Sequence, residues 1–231
     1  MLKRLLSDRL TLGFKRALAE VGREWKVQRR HGQGFRRAKA AYSQSRDLKL
    51  HVGCGSNYKE GWVNIDLFNP TADVALDLRE RFPFADNSVS LIYSEHVLEH
   101  FEYPRDAKHI LQECFRVLMP GGVINIGVPD HGLIAAAYST RDTRFFEERR
   151  TRSYLREGDD TFMHHLNYNF RQDGLHKYSY DEETLRQVLG RVGFEQIERR
   201  PFDPALDSAK RNLRGTLYMV ARKGGRRKET G

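Results

Sequence analysis

Short apolar runs separated by turn residues dominate the chain from residue 48 to residue 129. Four of these runs end near a glycine, an aspartate or a small polar residue, at residues 48–52, 62–65, 74–76 and 89–93. The segment "PRDAKHILQECFRVLMPGG" instead spaces its apolar positions as one face of a helix, and "VINIGVPD" follows as a further strand. Strands that alternate with turns and helices predict a mostly parallel, doubly wound sheet.

The C-terminal third predicts one helix and two strands. The helix begins near Asp181, and "EQIERRP" and "GTLYMVARK" read as an antiparallel pair at the edge of the sheet. The predicted fold class is therefore α/β, a Rossmann-like doubly wound sheet with an antiparallel edge hairpin. We predict three parts: residues 1–46, a main domain of residues 47–222 and a loose tail of residues 223–231.

Residues 131–177 interrupt the alternation of strands and helices. The segment is rich in aromatic, histidine and arginine residues, and it is too long for a plain connecting loop. We predict a lid that forms the acceptor pocket. Its rings would stack on a sugar, and Arg152 or Arg171 would bind a phosphate or a carboxylate.

The first 46 residues carry the positive charge of the chain. The formal net charge of the protein is +9, and this segment has 13 basic against 3 acidic residues, or +10, which leaves −1 for the remainder. Apolar residues follow one helical face as far as Val21, and a basic, poorly patterned linker follows to Arg46. The helix could pack on the domain, lie on an anionic membrane surface through residues 1–21, or hold nucleic acid.

Composition narrows the cellular setting. Hydrophobic residues make up 39% of the chain, and no apolar stretch is long enough to cross a bilayer. Cys54 and Cys114 stand in different local contexts and form no disulfide framework, and the first twenty residues do not resemble a signal peptide. We expect a cytoplasmic protein, with peripheral contact to the inner face of the membrane as an option.

Candidate chemistry begins with the stretch "LKLHVGCGSNYKEGWVNIDLF". Gly53 and Gly55 follow one strand and let the backbone turn sharply beside a ligand, and Asp66 ends the next strand. Ligands of open parallel sheets bind at the carboxyl ends of the strands, where a carboxylate can accept hydrogen bonds from a ribose diol. The stretch therefore suits a cofactor that contains a nucleoside.

Together with "LDL" at 76–78, "YSEHVLEH" at 93–100 and "RVLMPGG" at 116–122, this stretch resembles the class I S-adenosylmethionine-dependent methyltransferases. The resemblance spans residues 47–129, and it is weaker in residues 175–222. It implies S-adenosyl-L-methionine as the cofactor, a glycine loop around its methionine and ribose parts, and an acid on the ribose hydroxyls. The residues that it implies for cofactor binding are His51, Gly53, Cys54, Gly55, Asp66, Leu67, Asp77, Leu78, Ser94 and His96.

The chain departs from the family pattern in two places, and one interval is shorter than in dinucleotide-binding folds. His51 stands where an acid is common, Asn57 stands where a third glycine is common, and the interval from Gly53 to Asp66 is short. The first helix after the glycine loop must therefore be abbreviated or lost. A similar compression occurs in a subset associated with sugars and cell-envelope polysaccharides, which implies a role in polysaccharide biosynthesis.

Methyl transfer needs orientation of the acceptor, and a hydroxyl acceptor also gains from a base. We predict His131 and His165 as catalytic bases, because the first follows the "VPD" strand end and the second lies in the insertion. The other histidines considered are His96, His100, His164 and His176. The spacing of His and Asp residues completes no metal site, so we expect none.

Three functions remain open from the sequence. The first is O-methylation of a small molecule or a sugar or glycan acceptor. The second is RNA methylation, with the basic N-terminal arm as an electrostatic handle. The third is a module that binds the cofactor without turnover. The sequence leaves the oligomeric state open.

Overall fold

The structure is a computed structural model that describes residues 2–150, 158, 161–209 and 215–225, with side chains described from residue 11 onward and, at the end of the fourth helix, as far as residue 148. Arg152, one of the two predicted anion-binding residues of the insertion, lies outside the described residues. The same holds for most of the predicted tail.

Among the described residues six strands form one mixed sheet, whereas the sequence predicts a seventh strand at residues 74–76. They are β1 (Leu48–Val52), β2 (Val63–Ile65), β3 (Val89–Glu95), β4 (Leu118–Pro129), β5 (Phe194–Arg200) and β6 (Thr216–Lys223). Their order in the sheet is β2-β1-β3-β4-β6-β5. The first four strands run parallel, and β6 pairs antiparallel with β4 and with the edge strand β5. The Rossmann-like fold class and the antiparallel edge are confirmed.

The central strands are apolar because both faces of the sheet are covered. Leu50, Ile92 and Ile124 lie on three neighbouring strands and are fully buried. From β1 the chain turns to β2 on one side and later returns to β3 on the other. This reversal of direction leaves a crevice at the carboxyl ends of β1 and β3, where open α/β sheets bind ligands.

Six α-helices accompany the sheet in the part of the chain that the structure describes: α1 (Leu2–Tyr42), α2 (Arg105–Val117), α3 (His131–Ser139), α4 (Thr143–Arg150), α5 (Phe162–Arg171) and α6 (Glu182–Val192). The two helices predicted within the domain are α2 and α6. Asp181 caps α6 as expected, since its side chain accepts a hydrogen bond from Thr184 N at 2.8 Å.

The connection from β1 to β2 has no helix, in agreement with the short interval between the glycines and Asp66. Residues 53–62 form turns, and the buried side chain of Asn64 holds them in place through hydrogen bonds to Lys59 and Trp62. The apolar run at residues 74–76 is not a strand. Only Val74 pairs with the sheet, in a single bridge to Ile65.

Helix α1 continues to Tyr42, so the prediction of a linker after Val21 is wrong. The C-terminal half of α1 lies against the domain through small and apolar residues, with Val27 and Ala38 buried. A Cβ atom on Gly34 would stand 1.9 Å from the carbonyl oxygen of Ala75, so only glycine allows this close approach. Contact with the domain, rather than helical periodicity, accounts for the ordered second half.

The insertion forms helices α3, α4 and α5, which share a small hydrophobic core of their own. Phe145 and Phe146 are each 1% exposed and pack with Ile134 and Ala137. Phe162 stacks on Phe146 with ring centroids 4.6 Å apart. Several of the aromatic residues predicted to contact an acceptor thus stabilise the insertion itself.

Within the described residues, no helix combines the length and the apolar character that crossing a bilayer requires.

Candidate functional site

A cavity of about 770 Å³ opens at the carboxyl ends of β1 and β3, beside the turn that follows β2. Its volume lies in the range of pockets that hold small molecules and cofactors. Seven of the ten residues predicted to bind the cofactor line it: Gly53, Gly55, Asp66, Leu67, Asp77, Leu78 and His96.

The two glycines of the loop after β1 have conformations that other residues rarely adopt. Gly53 has φ +69°, and a Cβ atom there would stand 2.3 Å from the side chain of Val97. Gly55 has φ +50°, and a Cβ atom there would meet no atom within 4 Å. The first glycine therefore allows the loop to pack on the segment after β3, and the second leaves space on the cavity side for a ligand.

The carboxylate of Asp66 fixes the loop from the end of β2. Its Oδ2 atom accepts a hydrogen bond from Gly55 N at 3.0 Å, and Oδ1 accepts from Phe68 N at 2.8 Å and Asn69 N at 2.9 Å. Asp66 also lines the cavity, which allows the carboxylate to accept further hydrogen bonds from a ribose diol.

Asp77 lies at the end of the cavity that the family resemblance assigns to adenine. It is 4% exposed, and its carboxylate forms a bidentate pair with Arg79, whose Nη2 is 2.5 Å from Oδ2. Burial acts to raise the pKa of the Asp77 carboxyl, but the hydrogen bonds and charge of Arg79 hold it below its ordinary value. The predicted contact between this carboxylate and adenine remains a prediction.

Helix α1 closes one side of the cavity, which the sequence did not indicate. Arg23, Glu24 and Val27 line the cavity, and Glu24 lies 3.4 Å from Arg79 Nη2. His31 accepts a hydrogen bond from Asp77 N at 3.3 Å. Because α1 covers this end, deletion of residues 1–46 would open the cofactor site as well as remove the basic arm.

Three predicted cofactor residues lie beneath the cavity or away from its lining. His51 is 2% exposed and faces Asn64 Oδ1 at 3.3 Å, and burial together with the charge of Lys59 lowers its pKa to about 4. Cys54 is buried, and burial raises the pKa of its thiol to about 11. Ser94 is half-buried on β3. None of the three lines the cavity, and their direct contact with the cofactor remains a prediction.

His96 stands at the end of β3 in a strained conformation. Its φ is +55°, and its backbone N–H donates to Gly127 O at 2.8 Å. The ring forms one hydrogen bond, from Nε2 to Thr216 Oγ1 at 3.0 Å, and its Nδ1 lies 3.2 Å from Glu99 Oε1 without hydrogen-bond geometry. Left-handed backbone in a residue other than glycine is often retained at functional sites, and here it turns the ring toward the cavity.

The two histidines predicted as bases lie away from the cavity. His131 is 3% exposed, and its ring accepts from Tyr180 N at 3.2 Å through Nδ1 and donates to Asn169 O at 3.0 Å through Nε2. His165 is also 3% exposed and packs against Phe146 in the core of the insertion. The hydrogen bonds of His131 favour a structural role, and for both residues the catalytic role stays a prediction.

Other histidines lie nearer the cavity than the predicted pair. His100 lines it, and His176 lies beside His100 with ring centroids 5.1 Å apart. Glu99 is fully buried next to them; burial acts to raise the pKa of its carboxyl, while His96 and His100 hold it below the ordinary value. His164 forms a capping box with Thr161 at the start of α5, and Arg171 lies exposed at the end of that helix.

Comparison with known proteins found one family model and several distantly similar solved structures. Residues 50–126 match the family described as the methyltransferase domain. A methyltransferase from Archaeoglobus fulgidus that depends on S-adenosylmethionine is 17% identical, with 87% of this chain and 94% of that chain aligned at a TM-score of 0.46. An S-adenosylmethionine-dependent methyltransferase from Mesorhizobium loti is 18% identical, with 80% of this chain and 94% of that chain aligned at a TM-score of 0.45. Phosphoethanolamine N-methyltransferase 2 from Haemonchus contortus, solved with S-adenosyl-L-methionine, is 14% identical. The alignment covers 84% of this chain and 52% of that chain, with a TM-score of 0.43.

A search of curated proteins found no match to this chain. The distant structures carry no information on its acceptor. The family match covers β1 to β4 almost completely, which are the strands that build the cavity. The glycine loop, the carboxylate of Asp66 and the volume of the cavity fit S-adenosyl-L-methionine, and residues 50–126 form an S-adenosylmethionine-dependent methyltransferase domain.

Proposed function

We propose that this methyltransferase methylates a hydroxyl oxygen of a small molecule or of a sugar or glycan acceptor. The observation that carries the proposal is the group of imidazole rings at one end of the cofactor cavity. His96 and His100 both line the cavity on the side of Gly53 and Val97. A hydroxyl acceptor must lose a proton during transfer, and imidazole is the side chain best suited to assist at neutral pH.

The residues of the chain would act mainly by binding and orientation. Gly53, Gly55 and Asp66 would hold the cofactor, and Leu67 and Leu78 would contribute apolar contacts. The cofactor supplies an electrophilic methyl group on a sulfonium. Helix α1 and the turn after β3 form walls of the cavity, and orientation of the acceptor would contribute several kcal/mol, up to roughly 7–11 kcal/mol.

Charge favours a small acceptor over RNA. The basic excess lies in residues 1–46, and the rest of the chain has a formal charge of −1. At the cavity this excess is represented by Arg23 of α1, and the rest of the chain has no comparable excess for the extended phosphate contacts that supply most of the affinity for RNA. The similar compression of the glycine loop in enzymes of sugar pathways supports a glycan acceptor.

An acceptor panel tests the proposed reaction. Full-length protein is incubated with S-adenosyl-L-methionine and, in parallel, with nucleotide sugars, oligosaccharides, phenols, amines and RNA, and products are identified by mass spectrometry. We expect a mass gain of one methyl group on a hydroxyl acceptor. Methylation of an amine or of RNA alone would contradict the proposal. Binding of S-adenosylhomocysteine without transfer to any acceptor would favour a module without turnover.

We also propose that the N-terminal half of α1 lies on an anionic membrane surface. Phe14, Leu18, Val21 and Trp25 are spaced four, three and four residues apart, so they share one face of the helix. All four are more than half exposed. Basic residues flank this face, an arrangement typical of helices that bind in the plane of an anionic bilayer.

Vesicle flotation tests the membrane contact. We expect binding to vesicles of phosphatidylglycerol and phosphatidylcholine, weaker binding to phosphatidylcholine alone, and release at high salt because the attraction is screened. The double variant Leu18→Glu/Trp25→Glu should reduce binding at least about 10-fold, whereas Met163→Gln, an exposed apolar residue on α5, should not. Equal binding of the double variant, or a dimer that the variant abolishes, would contradict the proposal.

A further inference from the structure

We propose that Glu99, His100 and His176 form a binding site for a divalent first-row transition metal ion at the end of the cofactor cavity. One nitrogen of each ring and one carboxylate oxygen lie within 4.8 Å of one another. Two histidines and one carboxylate are a donor set that suits Zn²⁺, Mn²⁺ or Fe²⁺, and open coordination positions remain for a substrate.

The carboxylate of Glu99 is the first indication of a missing partner. The residue is 0% exposed, and neither oxygen has a hydrogen-bond partner among the described residues. His96 Nδ1 approaches Oε1 at 3.2 Å, but the geometry makes no hydrogen bond. A buried carboxylate without satisfied oxygens is costly, and a bound cation would compensate for this cost.

The hydrogen bonds of the two imidazole rings are the second and independent indication. His176 Nδ1 lies 2.6 Å from Asn169 O, and His100 Nδ1 lies 3.2 Å from Leu175 O. A carbonyl oxygen only accepts, so each Nδ1 carries the proton and each Nε2 keeps its lone pair. A ring that donates one N–H to a backbone carbonyl and offers its other nitrogen is the usual arrangement of a metal-binding histidine.

The three ligands come from segments that the fold brings together. Glu99 and His100 lie in the short helical turn after β3, and His176 lies just before α6. The backbone oxygen of Glu99 accepts hydrogen bonds from Lys177 N at 2.7 Å and Tyr178 N at 3.2 Å, so the two segments are tied at this point. Ligand atoms on a tetrahedral zinc ion stand roughly 3.4 Å apart, so metal binding needs side-chain shifts of about 1 Å.

The position of the site gives the ion a role in the proposed hydroxyl methylation, on which this step rests. His100 lines the cofactor cavity. One carboxylate and two neutral imidazoles leave a divalent ion with a net charge of +1, which favours an anionic oxygen. A hydroxyl bound to the ion would lose its proton to water and keep the electron pair of the broken O–H bond for attack on the methyl group.

Metal content and cofactor binding are measured on the same protein. Full-length protein is stripped with a chelator and titrated with Zn²⁺ in a calorimeter, and bound metal is counted after dialysis. Co²⁺ serves as a second probe, because its visible absorption reports ligand geometry. We expect about one ion per chain. Replacement of a residue that only hydrogen-bonds to a metal ligand weakens metal binding by roughly 10–100-fold. Glu99→Gln and His176→Ala each remove a ligand, so each should weaken Zn²⁺ binding by more than that.

The control is His109→Gln, which removes a histidine on α2 outside the cluster and should leave the stoichiometry unchanged. Wild-type protein that binds no Zn²⁺ or Co²⁺, or variants that bind as wild type, would overturn the metal site. Calorimetry with S-adenosylhomocysteine separates the two proposals. Loss of metal with retained cofactor binding supports the site, while wild-type protein that holds metal but binds no S-adenosylhomocysteine would refute the methyltransferase function alone.

Discussion

Replacement of Asp66 with alanine is expected to weaken the binding of S-adenosylhomocysteine by at least about 100-fold. Hydrogen bonds to a charged group contribute about 1.5–3 kcal/mol each, and a factor of 100 corresponds to about 2.7 kcal/mol. The carboxylate holds Gly55 N, Phe68 N and Asn69 N, and it lines the cavity. The variant would therefore lose the predicted contact with the ribose together with the anchor of the glycine loop. Isothermal titration calorimetry measures the change.

The matched control is Glu60→Gln, which removes an exposed carboxylate from the turn between β1 and β2. This variant should bind S-adenosylhomocysteine within about 2-fold of wild type, since surface substitutions usually change little. A thermal melt of Asp66→Ala separates loss of the direct contact from general loosening of the loop. An affinity of Asp66→Ala within about 2-fold of wild type would contradict the assignment of the cavity to the cofactor.

The sheet and the glycine loop could be predicted because their signals are local. The apolar run at residues 48–52 is β1 without a shift of either boundary, and Gly53 and Gly55 make the sharp turn that the sequence indicated, both with a positive φ. The carboxyl ends of parallel strands meet at one edge by geometry alone. The meeting of Gly55 and Asp66 was therefore predictable from strand order.

The docking of α1 could not be predicted, because the residues that make it carry no periodic apolar pattern. Gly34 and Ala38 are small residues that allow the helix to approach the chain near Ala75, and basic residues surround them. The basic residues give a clear charge pattern, whereas the small residues give no pattern that predicts a contact. Its most regular apolar face, which includes Phe14 and Trp25, is the exposed one.

The sequence also could not predict which histidines lie near the cavity. His131 follows a strand end in the sequence, but its ring contacts Tyr180 O before α6 and Asn169 O on α5 and does not line the cavity. His100 and His176 meet only in the folded chain, because they are 76 residues apart. Spacing within a short motif therefore could not reveal the group formed by Glu99, His100 and His176.

The side chain of Asn64 replaces the missing helix between β1 and β2, and its removal should destabilise the protein strongly. Asn64 is 0% exposed. Its Oδ1 accepts from Lys59 N at 2.9 Å, and its Nδ2 donates to Lys59 O at 2.9 Å, Trp62 O at 3.1 Å and Asp73 Oδ2 at 3.0 Å. One amide thus satisfies the backbone of a turn that has few hydrogen bonds of its own.

Asn64→Ala is expected to lower the free energy of unfolding by about 3 kcal/mol or more, because each buried polar group left without a partner costs about 1–3 kcal/mol. Urea denaturation followed by circular dichroism measures this change. Asn167→Ala removes an exposed amide on α5 and should stay within about 0.5 kcal/mol of wild type. Because the same turn positions Gly55 and Asp66, Asn64→Ala should also weaken cofactor binding. Wild-type stability together with wild-type affinity would mean that the turn holds its shape without the amide.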